Sequence, residues 1–348
     1  MHLLQQLDIK HPILLAPMAG VSTATLAAEV SNQGALGALG LGASTPAQAR
    51  QQILDTQHLT SAPFQVNFFC HQSPTLDSAA HQAWIAALAP LFAQYGATPP
   101  STLNCIYPSF LDHDDYLDVV LALAPKAVSF HFGIPHAAQI AALKHAGIVT
   151  MVSATNLAEA QLIEQAGIDV IIAQGIEAGG HRGIFNIDID AALSTADLVK
   201  LCVAECQLPV VAAGGIMNGQ QAKHMLKLGA SAVQLGTAFV ACPSSAAHAA
   251  YRYALKNNPH THITRSISGR PARSLMQHWQ TRVDRPDRAA VAAYPYAYDL
   301  AKQLHAAAAA QDDHGYGAFW AGANVAQIRP LAAPDLINQL VLEMNQTA

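Results

Sequence analysis

Short apolar runs alternate with longer alanine-rich stretches over the first two thirds of the chain, and this alternation leaves few architectures open. The runs fall at 12–17, 35–40, 63–68, 127–132, 148–153, 169–174, 209–213 and 232–236. Runs of this length, bounded by turn residues, read as strands buried on both faces. The stretches between them read as helices near 22–32, 46–56, 79–95, 115–124, 136–146, 156–166, 194–206 and 219–228. Ser22, Thr45-Pro46, Asn156 with Glu159 three residues on, and Asn218 are start signals. Gly34, Gly147, Gly167 and Gly229 are stop signals. Strand–helix alternation favours a parallel sheet. Eight units in about 240 residues match an α/β fold of the (β/α)8 TIM-barrel type. A doubly wound open sheet carries the same alternation, so periodicity leaves both standing.

Composition fits strands covered on both faces: 51% of the 348 residues are hydrophobic and 12% charged. With a formal net charge of −5 and no Lys/Arg block, neither nucleic acid nor an anionic membrane is an expected partner. No apolar stretch approaches the ~20 residues that cross a bilayer. The first residues lack a basic region followed by a long apolar run, so no signal peptide is read there. Five cysteines without a C-x-x-C pair suggest reduced thiols and a cytoplasmic location. Cys202 and Cys206, one helical turn apart, have no further ligands at metal spacing.

The alternation breaks over 241–315, a segment with five prolines and the aromatics Tyr251, Tyr253, Trp279, Tyr294, Tyr296 and Tyr298. It reads as a mainly helical insertion or lid after the eighth strand, on the substrate side. The expected division is a barrel over 1–240, the insertion over 241–315, and 316–348 packing back on the barrel. The amphipathic pattern Leu336, Ile337, Leu340, Val341, Met344 supports the last part.

Function in such barrels gathers at the C-terminal strand ends. The sixth run leads into Gln174-Gly-Ile-Glu-Ala-Gly-Gly-His-Arg-Gly, a glycine-rich bend carrying His181. Glycines let backbone amides approach an anion, and histidine exchanges protons near neutral pH. The seventh and eighth runs end at Gly214-Gly215 and Gly236-Thr237, adjacent ends suited to a phosphate. Gly180 belongs to the same set. Asn67 and Gln174 are strand-end amides that could meet a flavin's pyrimidine edge or capping backbone equally well. Met18, in Pro17-Met18-Ala19, could lie under a flat ring or pack in the barrel. His131 ends the fourth run and reads as a pocket or a satisfied barrel residue. Tyr107, Tyr251, Tyr294, Tyr296 and Tyr298 are candidates for pocket walls. A metal site from His131, His181 and Glu177 lacks supporting spacing, so no metal is expected. No G-x-S-x-G turn points to a serine nucleophile.

Six strings together resemble the nitronate monooxygenases, formerly 2-nitropropane dioxygenases, in their bacterial class I branch. They are Ala16-Pro-Met-Ala-Gly, Phe64-Gln-Val-Asn-Phe-Phe, Val128-Ser-Phe-His-Phe-Gly, Ala173-Gln-Gly-Ile-Glu-Ala-Gly-Gly-His-Arg-Gly, Pro209-Val-Val-Ala-Ala-Gly-Gly-Ile and Val233-Gln-Leu-Gly-Thr-Ala-Phe. The likeness runs over roughly 12–275 and includes Thr264-Arg-Ser-Ile-Ser-Gly-Arg-Pro-Ala-Arg. It implies a TIM barrel with non-covalent FMN that oxidises alkyl nitronates, propionate 3-nitronate above all, with O2. By motif, His181 would be the catalytic histidine. Met18, Asn67, Gln174, Gly180, Gly214, Gly215, Gly236 and Thr237 would hold FMN. His131, with Tyr107, Tyr251 and Tyr298, would face the substrate. The segment from Tyr294 to Lys302 should add pocket residues.

On this reading His181 would act as imidazolium toward a nitronate anion and as a base toward a neutral nitroalkane. The partners are a small nitronate and O2; monomer and dimer both remain open. Two rivals share the motifs: an NAD(P)H-dependent flavin reductase of the enoyl-acyl-carrier-protein or quinone type, and a non-redox barrel isomerase or lyase acting on a sugar phosphate.

Overall fold

The computed structural model describes residues 3–346. Its strands, in chain order, are β1 (Ile13–Leu15), β2 (Gly37–Gly40), β3 (Phe64–Phe69), β4 (Ala127–His131), β5 (Val149–Ala154), β6 (Val170–Gln174), β7 (Gly180–His181), β8 (Val210–Ala213), β9 (Ala232–Leu235), β10 (Thr261–Thr264) and β11 (Ala272–Leu275). Eight of them form one parallel sheet in the order β1-β9-β8-β6-β5-β4-β3-β2. The two ends meet: Leu15 N–H donates to Leu36 O at 2.8 Å and Leu36 N–H to Ile13 O at 3.0 Å. That closure makes the sheet a barrel and removes the open-sheet alternative.

Alternation along each strand builds the two layers. In β6, Val170 and Ile172 point into the barrel, where they join Leu14, Met151 and Val211. Ile171 and Ala173 point outward into the core shared with the surrounding helices. The short helix Leu3–Leu7 adds Leu3 and Leu7 to the inner cluster. Thr45 and Gln48 form the expected capping box, and Asn156 and Asn218 accept from Glu159 and Gln221 amides, whereas the helix Ala24–Asn32 is capped by Thr23 rather than Ser22, whose hydroxyl takes the Met18 amide.

Beyond β9 the chain builds the helices Ala249–Asn257 and Tyr296–Ala309. The second packs on the helix Ser78–Gln94 through Leu300, Leu304, Trp84 and Leu88. The same region also holds a β10–β11 hairpin that the sequence reading does not anticipate. β11 pairs antiparallel with β7, placing Ala272 opposite His181 and Arg273 opposite Gly180. The helix Ala333–Asn345 returns to the barrel, burying Leu336, Ile337 and Leu340 in the outer core. Among the described residues, no helix is long and apolar enough to cross a membrane.

Candidate active site

The site begins with how the bend after β6 is held. Gln174, the last residue of β6, donates through Nε2 to the carbonyl of His181 at 3.0 Å. His131, the last residue of β4, brings its Nε2 to the same carbonyl at 3.1 Å. A carbonyl only accepts, so His131 carries its proton on Nε2. Gln174 Oε1 takes the Gly183 amide at 2.7 Å. Arg182, fully buried, reaches back to the carbonyl of Gly175 at 2.7 Å and grips Asp190 with Nε and Nη2 at 2.9 and 3.0 Å. The bend is therefore rigid before any ligand arrives. Two residues assigned by sequence to flavin and substrate, Gln174 and His131, line the pocket and each also bonds the His181 carbonyl through one side-chain nitrogen.

The His181 side chain faces the pocket among Phe132, Tyr294, Tyr298 and Trp320, with the indole centroid 5.0 Å away. Its Nε2 lies 2.8 Å from Ser268 Oγ. Ser268 also donates to the Arg270 carbonyl at 3.2 Å. With the hydroxyl proton there, Nε2 donates to Ser268 and Nδ1 is the basic nitrogen. Burial, with the nearby His131, Arg270 and His71, lowers the pKa of His181 to about 3. The resting ring is thus neutral. Desolvation by burial disfavours the cation of the ligand-free ring. Burial also takes His131 down to about 4.

Arg270 is buried without a carboxylate partner among the described residues. Its Nη2 donates to the Ile184 carbonyl at 2.7 Å, and its guanidinium lies 4.3 Å over the Phe132 ring. The next amide, Phe185 N–H, donates to Glu159 at 2.9 Å, so one peptide unit bridges the two charges. Ser268, Arg270 and Trp320 escape sequence reasoning as site residues, because nothing local marks a serine, an arginine or a tryptophan that acts from another element.

The opposite rim is built from glycines. Gly214 and Gly215 have φ of 126° and 69°, and a Cβ on Gly214 would stand 2.8 Å from Thr195 Oγ1. Their amides and that of Gly236 donate to no acceptor among the described residues. Three free amides at adjacent strand ends are suited to a phosphate. Met18 lines the same space, with its sulfur 3.6 Å from where a Gly236 Cβ would lie. Asn67 binds Ser129 through Nδ2 and leaves Oδ1 free to accept. Gly180 adds open space at the bend. The return segment seals this rim: Gly322 N–H donates to Thr237 Oγ1 at 2.9 Å, and Asn324 Nδ2 to the Gly215 carbonyl at 2.6 Å. Thr237 thus fastens the rim through its hydroxyl.

Tyrosines close the third side. Tyr298 OH accepts from Trp320 Nε1 at 3.2 Å and from the Tyr107 hydroxyl, so its own proton is free to donate. Burial pushes Tyr298 up to about 12 and raises Tyr107 further, so both are neutral donors. Tyr294 OH is buried without a partner among the described residues. Tyr251 instead gives its hydroxyl to the Trp320 carbonyl and stacks on Phe319, positioning the return segment. Tyr296 packs away from the pocket against His81. Lys302 reaches over the faces of Tyr107 and Tyr298 at 5.0 and 5.6 Å. Glu177, once considered as a metal ligand, is taken by the amide and hydroxyl of Thr195.

The site joins a closed parallel barrel, free amides at two strand ends and a neutral imidazole across from them. The chain belongs to the nitronate monooxygenase family, whose model matches residues 2–343. It is 50% identical to a nitronate monooxygenase of Paraburkholderia phytofirmans, over 99% of this chain and 95% of the relative. It is 48% identical to one of Pseudomonas aeruginosa, over 97% of each. Among solved structures it resembles a nitroalkane oxidase from Streptomyces ansochromogenes, with TM-score 0.89 and 37% identity over 99% and 98% of the two chains. FabK from Thermotoga maritima shares the fold at TM-score 0.74 and 28% identity over 98% and 95%.

Proposed function

We propose that this enzyme uses FMN to oxidise alkyl nitronates with O2, and that His181 is its base toward neutral nitroalkanes. The observation that carries the reading is the placement of a neutral, pocket-facing imidazole opposite three unpartnered glycine amides. Those amides and the Gly214–Gly215 cradle, which a Cβ would obstruct, suit the FMN phosphate. Asn67 Oδ1 suits a ring or ribityl donor, and Met18 suits a ring face. Bound FMN would accept electrons from the nitronate, a chemistry that belongs to the cofactor, with O2 as final oxidant.

The chain's own residues bind, orient and move a proton. A nitronate has already lost its α-proton and needs no base. Toward it, Tyr298 offers a hydroxyl proton to a nitro oxygen, and exclusion of water by Trp320 and the tyrosines strengthens that bond. A neutral nitroalkane still carries the proton, and the basic nitrogen of His181 accepts it. Lys302, the cation over the tyrosine faces, suits the carboxylate of a propionate 3-nitronate.

The test is the visible spectrum of purified protein, then anaerobic titration with propionate 3-nitronate. A flavin spectrum perturbed by the nitronate and restored by O2 is expected. Rapid anaerobic bleaching by NADH would transfer the assignment to a flavin reductase. A colourless protein unable to take up FMN would transfer it to a non-redox barrel.

A further inference from the structure

A second cavity of about 350 Å³ lies beyond Trp320, outside the chemistry described above. That volume falls in the range of small-molecule sites, ~300–1,000 Å³. It shares Ala19, Val21, Tyr251, Tyr298 and Trp320 with the catalytic pocket, so the two spaces meet along the aromatic wall. One face of the helix Tyr296–Ala309 lines it with Tyr298, Ala301, Lys302 and His305, the i, i+3, i+4, i+7 set. Ala246 and Ala318 leave the remaining room, while Ile267 and Phe319 give apolar wall.

Its polar groups share one bias. Lys302, His248 and His305 line the chamber, and no Asp or Glu does. Lys302 is exposed; its ammonium lies over the two tyrosine faces and has no ion-pair partner among the described residues. Asp299, the nearest acid on its helix, is bonded to the Asn104 amide and to Gln303. His305 Nδ1 is buried with no partner among the described residues. Asp313 below is held by Tyr95, His278 and the Gly315 amide. A cation and an imidazole beside apolar wall, with no acid lining the chamber, suit an anionic group on an alkyl chain.

We infer that this chamber binds the distal end of an elongated, acid-terminated substrate, the carboxylate resting between Lys302 and His305 while the nitronate lies beside His181. The inference rests on the nitronate reading for the reacting end only. A three-carbon acid keeps its carboxylate on the tyrosine side of Lys302; a five- or six-carbon acid reaches one helical turn deeper.

The FMN-loaded holoenzyme tests this with two nitronates of equal length, those of 6-nitrohexanoate and 1-nitrohexane, beside propionate 3-nitronate. The wild type should favour the six-carbon acid over its uncharged analogue at least tenfold in kcat/KM. Ala318→Trp, which fills the chamber, should cost the six-carbon acid at least tenfold and leave propionate 3-nitronate within twofold. Ala246→Trp fills it from the opposite wall and serves if the first variant does not fold. His305→Leu should erase the preference for the acid without slowing 1-nitrohexane nitronate. Equal effects of both fillings on three- and six-carbon acids, or none, would overturn the inference. Anaerobic calorimetry with 6-nitrohexanoate separates the two readings. Binding lost in Ala318→Trp, in an enzyme that oxidises no nitronate, keeps the chamber and removes the nitronate assignment. No binding by the wild type removes the chamber.

Discussion

At the scale of single residues, the environment of His181 sets what it can do. A solvent-exposed histidine would be largely protonated below pH 6.5, whereas this one keeps its base form to about 3. A base works deprotonated, so acid removes activity only when pH falls through the folded value. The pH profile of kcat/KM with a neutral nitroalkane should therefore show no histidine inflection near 6.5, and an inflection there would count against the buried neutral ring. His181→Asn should retain FMN, seen in its spectrum, and lose about 10²–10⁴-fold in neutral nitroalkane turnover. The loss with preformed nitronate should be smaller, because no proton is abstracted there. The pocket-facing position of His181 was legible because histidine in a glycine bend at a strand end has few structural roles. The duties of His131 and Gln174 were not legible: strand-end position showed that they reach the pocket, but not that a shared carbonyl takes their hydrogen bonds. Nor was it legible that Tyr251, which lines the pocket, gives its hydroxyl to the Trp320 carbonyl.

At the scale of elements, the two loops facing each other across the pocket tolerate little change. Arg182→Met would remove the guanidinium bonds to the Gly175 carbonyl and both Asp190 oxygens, destabilising the fold by about 3 kcal/mol in urea denaturation. Gly214→Ala would force φ near 126° on a residue with a Cβ and press it against Thr195 and Ala178. A cost of ~1–3 kcal/mol is expected. That corresponds to roughly tenfold to hundredfold weaker FMN binding, read by flavin fluorescence, if the strain falls on the bound form. The eight barrel strands were readable because each is buried on both faces and carries its own apolar run. The β7–β11–β10 sheet was not. Its β7 is two residues long, its partner lies about ninety positions away, and its pairing owes nothing to local periodicity. The π-helical turn at Trp279–Val283 likewise has no separate signature in a proline-broken segment.

At the scale of the whole molecule, neutral histidines sealed in the interior make the fold acid-sensitive. His71 is 1% exposed, neither ring nitrogen has a partner among the described residues, and burial lowers its pKa from 6.5 to about 4. The unfolded chain binds that proton more readily, so the contribution of His71 is complete above 6.5 and declines as pH falls toward 4. The slope approaches 1.4 kcal/mol per pH unit for this one group. Denaturation midpoints should fall between pH 6.5 and 4 in the wild type, and less steeply in His71→Phe if that variant folds with the same denaturant sensitivity. The return of the C-terminal helix was legible from its apolar stripe, and Leu340→Ala should cost ~2–5 kcal/mol by thermal or urea unfolding. Trp320, only a dozen residues before that helix, was invisible as part of the site because its role depends on where the closed barrel delivers the chain. Gly180–His181 pair with Ala272–Arg273 in the small sheet, while the His181 carbonyl is held by Gln174 and His131 from the barrel strands. Barrel and hairpin therefore cannot drift apart through independent insertions: one residue added to β11 would rotate its side chains to the opposite face and carry the mismatch straight to the imidazole.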